Sequence, residues 1–120
     1  GGDIFQMINK HKQNKKLIEE GLIWRVALQA LKGIATLHDM NIIHRDIKSA
    51  NIFCTKDLEQ IKLADMNVSI VSANGMAKTQ TGTPYYASPE VWMEKPYSKK
   101  CDIWSLGCVL YEMATLRPPF

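Results

Sequence analysis

The stretch that most constrains this 120-residue chain is a polar loop with apolar neighbours on both sides. Ile42-Ile43 precedes it and Ile52-Phe53-Cys54 follows it, and between them runs His44-Arg45-Asp46-Ile47-Lys48-Ser49-Ala50-Asn51. Brief apolar runs of this kind read as short strands. A fold that brackets the loop with them must carry a carboxylate, an ammonium and a carboxamide at Asp46, Lys48 and Asn51 on one short piece of chain. Those groups supply three separable roles. Asp46 can accept the proton of an attacking hydroxyl, Lys48 can neutralise charge on a transferring phosphoryl group, and Asn51 can offer its carbonyl oxygen to Mg²⁺. A second oxygen ligand, the acidic Asp65, follows the alternating run Ile61 to Ala64.

The surrounding periodicity places this loop in a mainly helical chain. Asp3 can cap a short helix beginning at Ile4. Glu19 and Glu20 sit where a helix start favours negative charge. Ile23, Val26, Ala27, Ala30, Leu31, Ile34 and Leu37 then recur at three- and four-residue steps, the stripe of an amphipathic helix ending near Met40-Asn41. The loop Thr55 to Gln60 turns the chain back into Ile61 to Ala64 as a small hairpin, with Asp65 at its exit. Residues 66–87 are rich in Ser, Thr, Gly and Asn and read as one long loop, a length that is usually functional. A short helical turn is expected after Pro89 and a long apolar helix over Asp102 to Thr115, which Pro118-Pro119 cannot continue. There are no internal repeats.

These motifs, in this order, resemble the protein kinase superfamily, and the resemblance covers essentially the whole chain. His44 to Asn51 resembles its catalytic loop, and Asp65-Met66-Asn67 stands where kinases carry Asp-Phe-Gly. Gly82-Thr83-Pro84-Tyr85-Tyr86-Ala87-Ser88-Pro89-Glu90 resembles the end of an activation segment, and Asp102-Ile103-Trp104-Ser105-Leu106-Gly107 the start of the buried long helix. The paired tyrosines and Ser88 before Pro89-Glu90 are similar to the NIMA-related serine/threonine kinases. Asp65 to Ser69 looks like the branch of that family found in flagellated algae and protists.

The resemblance implies an α+β protein-kinase-like fold over residues 1–120. It would be a partial C-terminal lobe, mainly helical, with a short β-hairpin at the catalytic loop. Gly1-Gly2-Asp3 resembles the end of the hinge, and no Gly-rich phosphate loop and no Val-Ala-Ile-Lys strand occur in the sequence. The small lobe and the last helices of the large lobe are therefore expected to be absent, and the chain alone should not transfer phosphate.

The implied activity is transfer of the γ-phosphoryl group of ATP to Ser or Thr hydroxyls of proteins, with ATP and Mg²⁺ as cofactors. Asp46, Lys48 and Arg45 would be catalytic, and Lys48 belongs to the serine/threonine class. Lys48, Asn51, Phe53 and Asp65 would bind nucleotide, with Phe53 as the floor under adenine and Asn51 and Asp65 as metal ligands. His44 and Asp102 would be structural anchors, Asp102 holding the loop's backbone N–H groups. Glu90 would pair with an arginine beyond Phe120 and so should be unpaired in this chain. Arg45 would bind a phosphate placed on Thr79 or, next, Thr81, while Thr83 would contact Asp46, Lys48 and a substrate hydroxyl.

Met66 and Asn67, in the positions of Phe and Gly, motivate an alternative in which the protein is a pseudokinase or scaffold module. The chain read literally as a short natural product would be a non-catalytic binding protein.

Composition narrows the rest. Hydrophobic residues are 46% and charged residues 22%, which fits a globular protein. No apolar run approaches a membrane span, and there is no basic-then-apolar leader. The net charge of +3 is concentrated in Lys10 to Lys16, where no aromatic residue interleaves for stacking, so a solvated loop between helices is expected rather than a nucleic-acid site. Cys54, Cys101 and Cys108 form no C-x-x-C pair and read as reduced intracellular thiols. The implied location is cytoplasmic, with centrosome, basal body or cilium suggested by the resemblance, and with cytoskeletal or microtubule-associated partners but neither nucleic acid nor membrane.

Overall fold

The computed structural model describes residues 1–65, 70–71 and 84–120. Its elements, in chain order, are β1 (Gly2–Asp3), α1 (Ile4–Gln13), α2 (Glu20–Asp39), β2 (Ile42–Ile43), a single 3₁₀ turn (Ser49–Asn51), β3 (Ile52–Cys54), β4 (Ile61–Leu63) and β5 (Ile70–Val71). A second 3₁₀ turn (Pro84–Tyr86), α3 (Pro89–Trp92) and α4 (Lys100–Thr115) complete it.

Each helix boundary has a local cause. Asp3 starts α1 by accepting the Gln6 N–H at 2.7 Å on Oδ1, which satisfies one orphan donor of the first turn. α2 stops where Asn41 takes a left-handed conformation, φ 58°, a geometry Asn tolerates. Lys99 Nζ lies 3.0 Å from Asn41 Oδ1 and also donates to the His38 carbonyl, so a cation covers the negative end of that helix. α4 ends with Leu116 at φ 59°, its N–H donating to the Glu112 carbonyl at 2.8 Å.

The two apolar runs around the polar loop are strands, but they do not pair with each other. β3 lies between β1 and β4 in an antiparallel sheet, with Ile52 opposite Leu63, Phe53 opposite Lys62 and Cys54 opposite Ile61. β2 pairs instead with β5, Ile43 opposite Ile70. The loop therefore spans two separate sheets. Two side chains one helical turn apart on α2 dock the β3–β4 turn. Gln29 Nε2 donates to the Glu59 carbonyl at 2.8 Å while its Oε1 accepts the Ile61 N–H at 2.9 Å, and Arg25 donates to the Leu58 carbonyl at 3.0 Å.

The main core joins α1, α2, the loop and α4. Ile4, Ile34, Ile47, Ile52, Val109 and Met113 are all within 1% of complete burial, and each fully buried aliphatic side chain contributes roughly 1.5–3 kcal/mol. A smaller cluster of Ile43, Val91, Tyr97 and Cys101 lies beside it. Among the described residues no helix is long and apolar enough to cross a membrane.

Three expectations need correction. The stripe of α2 buries Val26, Ala27, Ala30 and Ile34, but Leu31 is 40% exposed, because at 3.6 residues per turn it lies on the edge of the face that meets α4 and β4. The basic run is not all loop, since α1 continues through Gln13 and places Lys10, His11 and Lys12 in its last turn. Residues 66–87 are not one loop either. They contain β5 and the turn Pro84–Tyr86, and β5 exists because β2 offers it a partner.

Candidate active site

The backbone of the polar loop is held from below by one carboxylate. α4 brings Asp102, 1% exposed, under residues 44 and 45. Its Oδ2 accepts the His44 N–H at 3.0 Å and its Oδ1 the Arg45 N–H at 2.9 Å. His38 Nε2, from α2, lies 2.7 Å from Oδ2. Three donors offset the cost of burying a charge. They also hold Arg45 at φ 69°, a left-handed conformation that costs a non-glycine residue roughly 1–3 kcal/mol.

His44 is fully buried and fixes the next step. Its Nε2 is 3.2 Å from the Ala64 carbonyl, and the Asp46 N–H points at its Nδ1 from 3.3 Å. A carbonyl can only accept and an N–H can only donate, so the ring carries its proton on Nε2 and accepts at Nδ1. One imidazole thus ties the loop to the exit of β4.

Asp46, Lys48 and Asn51 converge. Asn51 closes the 3₁₀ turn, and its Nδ2 donates to the Asp46 carbonyl at 2.9 Å and to Asp46 Oδ2 at 3.1 Å. Lys48 Nζ is 3.0 Å from the same Oδ2. Asp46 is 8% and Asn51 6% exposed. A carboxylate is therefore held in one orientation by a fixed amide and an ammonium at the edge of the core. It is an arrangement suited to accepting a proton beside a positive charge.

The Asn51 carboxamide is oriented by those bonds. With Nδ2 committed to Asp46, the oxygen Oδ1 is the face available to a hard cation. Asp65 follows directly on Ala64, whose N–H donates to the Asn51 carbonyl at 2.9 Å, so β4 delivers it to the same end of the hairpin. It is exposed, with φ 62°. Among the described residues no three His, Cys, Asp or Glu side chains converge as a metal-binding group. The donor set is two oxygen ligands, one neutral and one acidic. That fits Mg²⁺, which keeps water and substrate phosphates in its shell, and not a metal caged by protein alone. Phe53 on β3 is 41% exposed, presenting a ring at the sheet surface.

The remaining expected residues are placed unequally. Arg45 donates from its guanidinium to the Tyr97 hydroxyl at 3.1 Å. Glu90 lies in α3, and among the described residues it forms no ion pair. Thr79, Thr81 and Thr83, with Met66 and Asn67, lie outside the described residues.

The structure adds a buried chain that the sequence reading did not single out. Ser49 Oγ is 2.9 Å from the Tyr86 hydroxyl, which donates to Glu112 Oε2 at 2.7 Å. Burial above all, with the Glu112 carboxylate against the hydroxyl, pushes the Tyr86 phenol up to about 12, although the Ser49 bond works the other way. The chain joins the polar loop to the middle of α4. Its only sequence signal is Glu112 on the apolar face of a helix, a polar residue that has to find a partner.

The profile of the protein kinase domain family matches residues 1–120. Human serine/threonine-protein kinase Nek5 is 48% identical over 122 residues, covering all of this chain and 17% of that protein. Mouse serine/threonine-protein kinase Nek1 is 47% identical, with all of this chain and 10% of the relative covered. A probable serine/threonine-protein kinase nek2 of Dictyostelium discoideum is 42% identical, with all of this chain and 29% of the relative covered. The chain thus spans less than a third of the length of each of these relatives.

Proposed function

The chain belongs to the protein kinase domain family, among the Nek serine/threonine kinases, and on that premise we propose that the whole protein transfers the γ-phosphoryl group of ATP to Ser and Thr hydroxyls of proteins. The observation that carries this is the convergence of Lys48 and Asn51 on Asp46, 3.0 Å and 3.1 Å from one carboxylate oxygen. The chain would be the central part of the kinase large lobe.

In this reading Asp46 receives the proton of the substrate hydroxyl and orients its oxygen in line with the phosphoryl group. Lys48 balances charge on the transferred group. Asn51 and Asp65 would hold Mg²⁺, which when bound neutralises charge on the phosphates. Phe53 would lie under the adenine ring. Asp102 and His44 act through the backbone, keeping Asp46 from rotating away, so the site needs little reorganisation when substrate arrives. Arg45 would receive a phosphate on Thr79, with Thr81 the next candidate, and Thr83 would contact the substrate hydroxyl. Cytoplasmic residence and cytoskeletal or microtubule-associated partners rest on the resemblance alone.

The test is phosphate transfer by the whole protein from radiolabelled Mg·ATP to a generic basic protein, followed by analysis of the labelled amino acids. Label on Ser or Thr is expected. Nucleotide binding with no transfer, or label on Tyr alone, would contradict the proposal.

A further inference from the structure

Ser88 stands where a helix would use it as a cap, and it does not act as one. It directly precedes α3 with an extended backbone, φ −70° and ψ 158°, and makes no side-chain cap bond. Serine is favoured at this position because its hydroxyl can accept an N–H of the first turn. Here Ser88 is 1% exposed. Among the described residues its Oγ is the single buried side-chain polar atom with no hydrogen-bond partner in the protein. Buried hydroxyls are rarely left so, because the desolvation cost is then uncompensated.

Ser88 lines a small cavity of about 20 Å³ beneath the loop that carries Asp46, lined also by Arg45, Tyr97 and Ser105. One water needs about 10–15 Å³ of such space, together with two to four polar partners. This one has room for a single molecule, and Ser88 and Ser105 bring hydroxyl-bearing residues to a wall that Ile47, Ala87 and Val91 otherwise make largely apolar. Ser105 is already oriented for it. Its Oγ faces the carbonyls of Tyr86 at 2.7 Å and Cys101 at 3.0 Å, and since a carbonyl takes only donors, the hydroxyl proton is spent there and the oxygen remains an acceptor.

We infer that Ser88 and Ser105 hold one ordered water in this cavity, a fixed solvent site tying the corner before α3 to α4 under the polar loop. The hydroxyl of Ser88 forgoes the cap because the water offers it a partner on the buried side. Alanine at this position would leave the cavity without that partner. The inference does not depend on the phosphoryl-transfer reading.

The sign of one substitution tests it. Removing a hydroxyl with no partner stabilises a protein, whereas removing one bonded to a held water destabilises it. In the whole protein, Ser88→Ala is expected to lower Tm by about 2–4 °C, and an unchanged or higher Tm would overturn the inference. A crystal structure of the whole protein that shows ordered solvent supplies the second arm. An oxygen within about 3 Å of both Ser88 Oγ and Ser105 Oγ is expected. An empty cavity, or Ser88 Oγ rotated onto the Glu90 or Val91 N–H, would overturn it.

Discussion

At the scale of the residue, Asp102 decides the geometry of the site without standing in it. Its two oxygens accept two successive backbone N–H groups and face His38, so the direction in which Asp46 leaves the backbone follows from a side chain 56 positions away in the sequence. An amide in its place keeps the shape but turns an NH₂ toward one of those N–H groups. Asp102→Asn in the whole protein is therefore expected to lower stability by about 2–4 kcal/mol and to reduce transfer as well. Urea denaturation measures the first effect, and a midpoint equal to wild type would show that the carboxylate is not the clamp. That Asp46, Lys48 and Asn51 meet was legible because their spacing is local and a short piece of chain fixes it. Asp102 was legible only through resemblance. Its partners lie on α2 and on the loop, and no short-range pattern joins residues 38, 44 and 102.

At the scale of the element, the same limit explains what was read and what was missed. α2 and α4 declare themselves by apolar periodicity. β1 is a Gly-Asp pair and β5 two residues within a polar stretch, and neither has a periodicity of its own; each is a strand because a partner strand accepts it. The link from the polar loop to α4 through Ser49, Tyr86 and Glu112 is likewise a property of packing. It has a pH signature. Below pH 10.0, the ordinary value of a tyrosine, Tyr86 is protonated whether the chain is folded or not, and its contribution to stability is fully present. As pH rises toward the folded-state value of about 12, the unfolded chain loses the proton first and stability falls. Cys101, its thiol pushed up to about 12 mainly by burial, adds the same sign from about pH 9 upward. The urea midpoint is expected to hold steady to about pH 9 and drop steeply above pH 10. Tyr86→Phe should be less stable at neutral pH, with Ser49 and Glu112 deprived of their partner, and should show a shallower alkaline fall. An alkaline slope identical to wild type would remove Tyr86 from the account.

At the scale of the whole molecule, a core is built around the site, and large apolar side chains remain at the surface. Trp24 is 60%, Leu28 57%, Met93 62% and Phe120 73% exposed, and Trp104 stacks on Phe120 with ring centres 5.9 Å apart. Apolar surface of this kind drives association. The 120-residue chain by itself is expected to self-associate in dilute buffer, and sedimentation should show species larger than a monomer. A monomer with one sharply cooperative thermal transition would contradict this.

On the proposed function, the fold holds Asp46 beside Lys48 and Asn51 as the group that would receive a hydroxyl proton. The most direct measurement compares wild type and Asp46→Asn in the whole protein, reading kcat for transfer and the Kd of Mg·ATP separately. The substitution keeps the size of the side chain and leaves Asn51 and Asp65 in place. A loss of about 10²–10⁴ in kcat with little change in nucleotide affinity is predicted. Equal losses in both, or full transfer by the variant, would make Asp46 a structural residue and contradict the account.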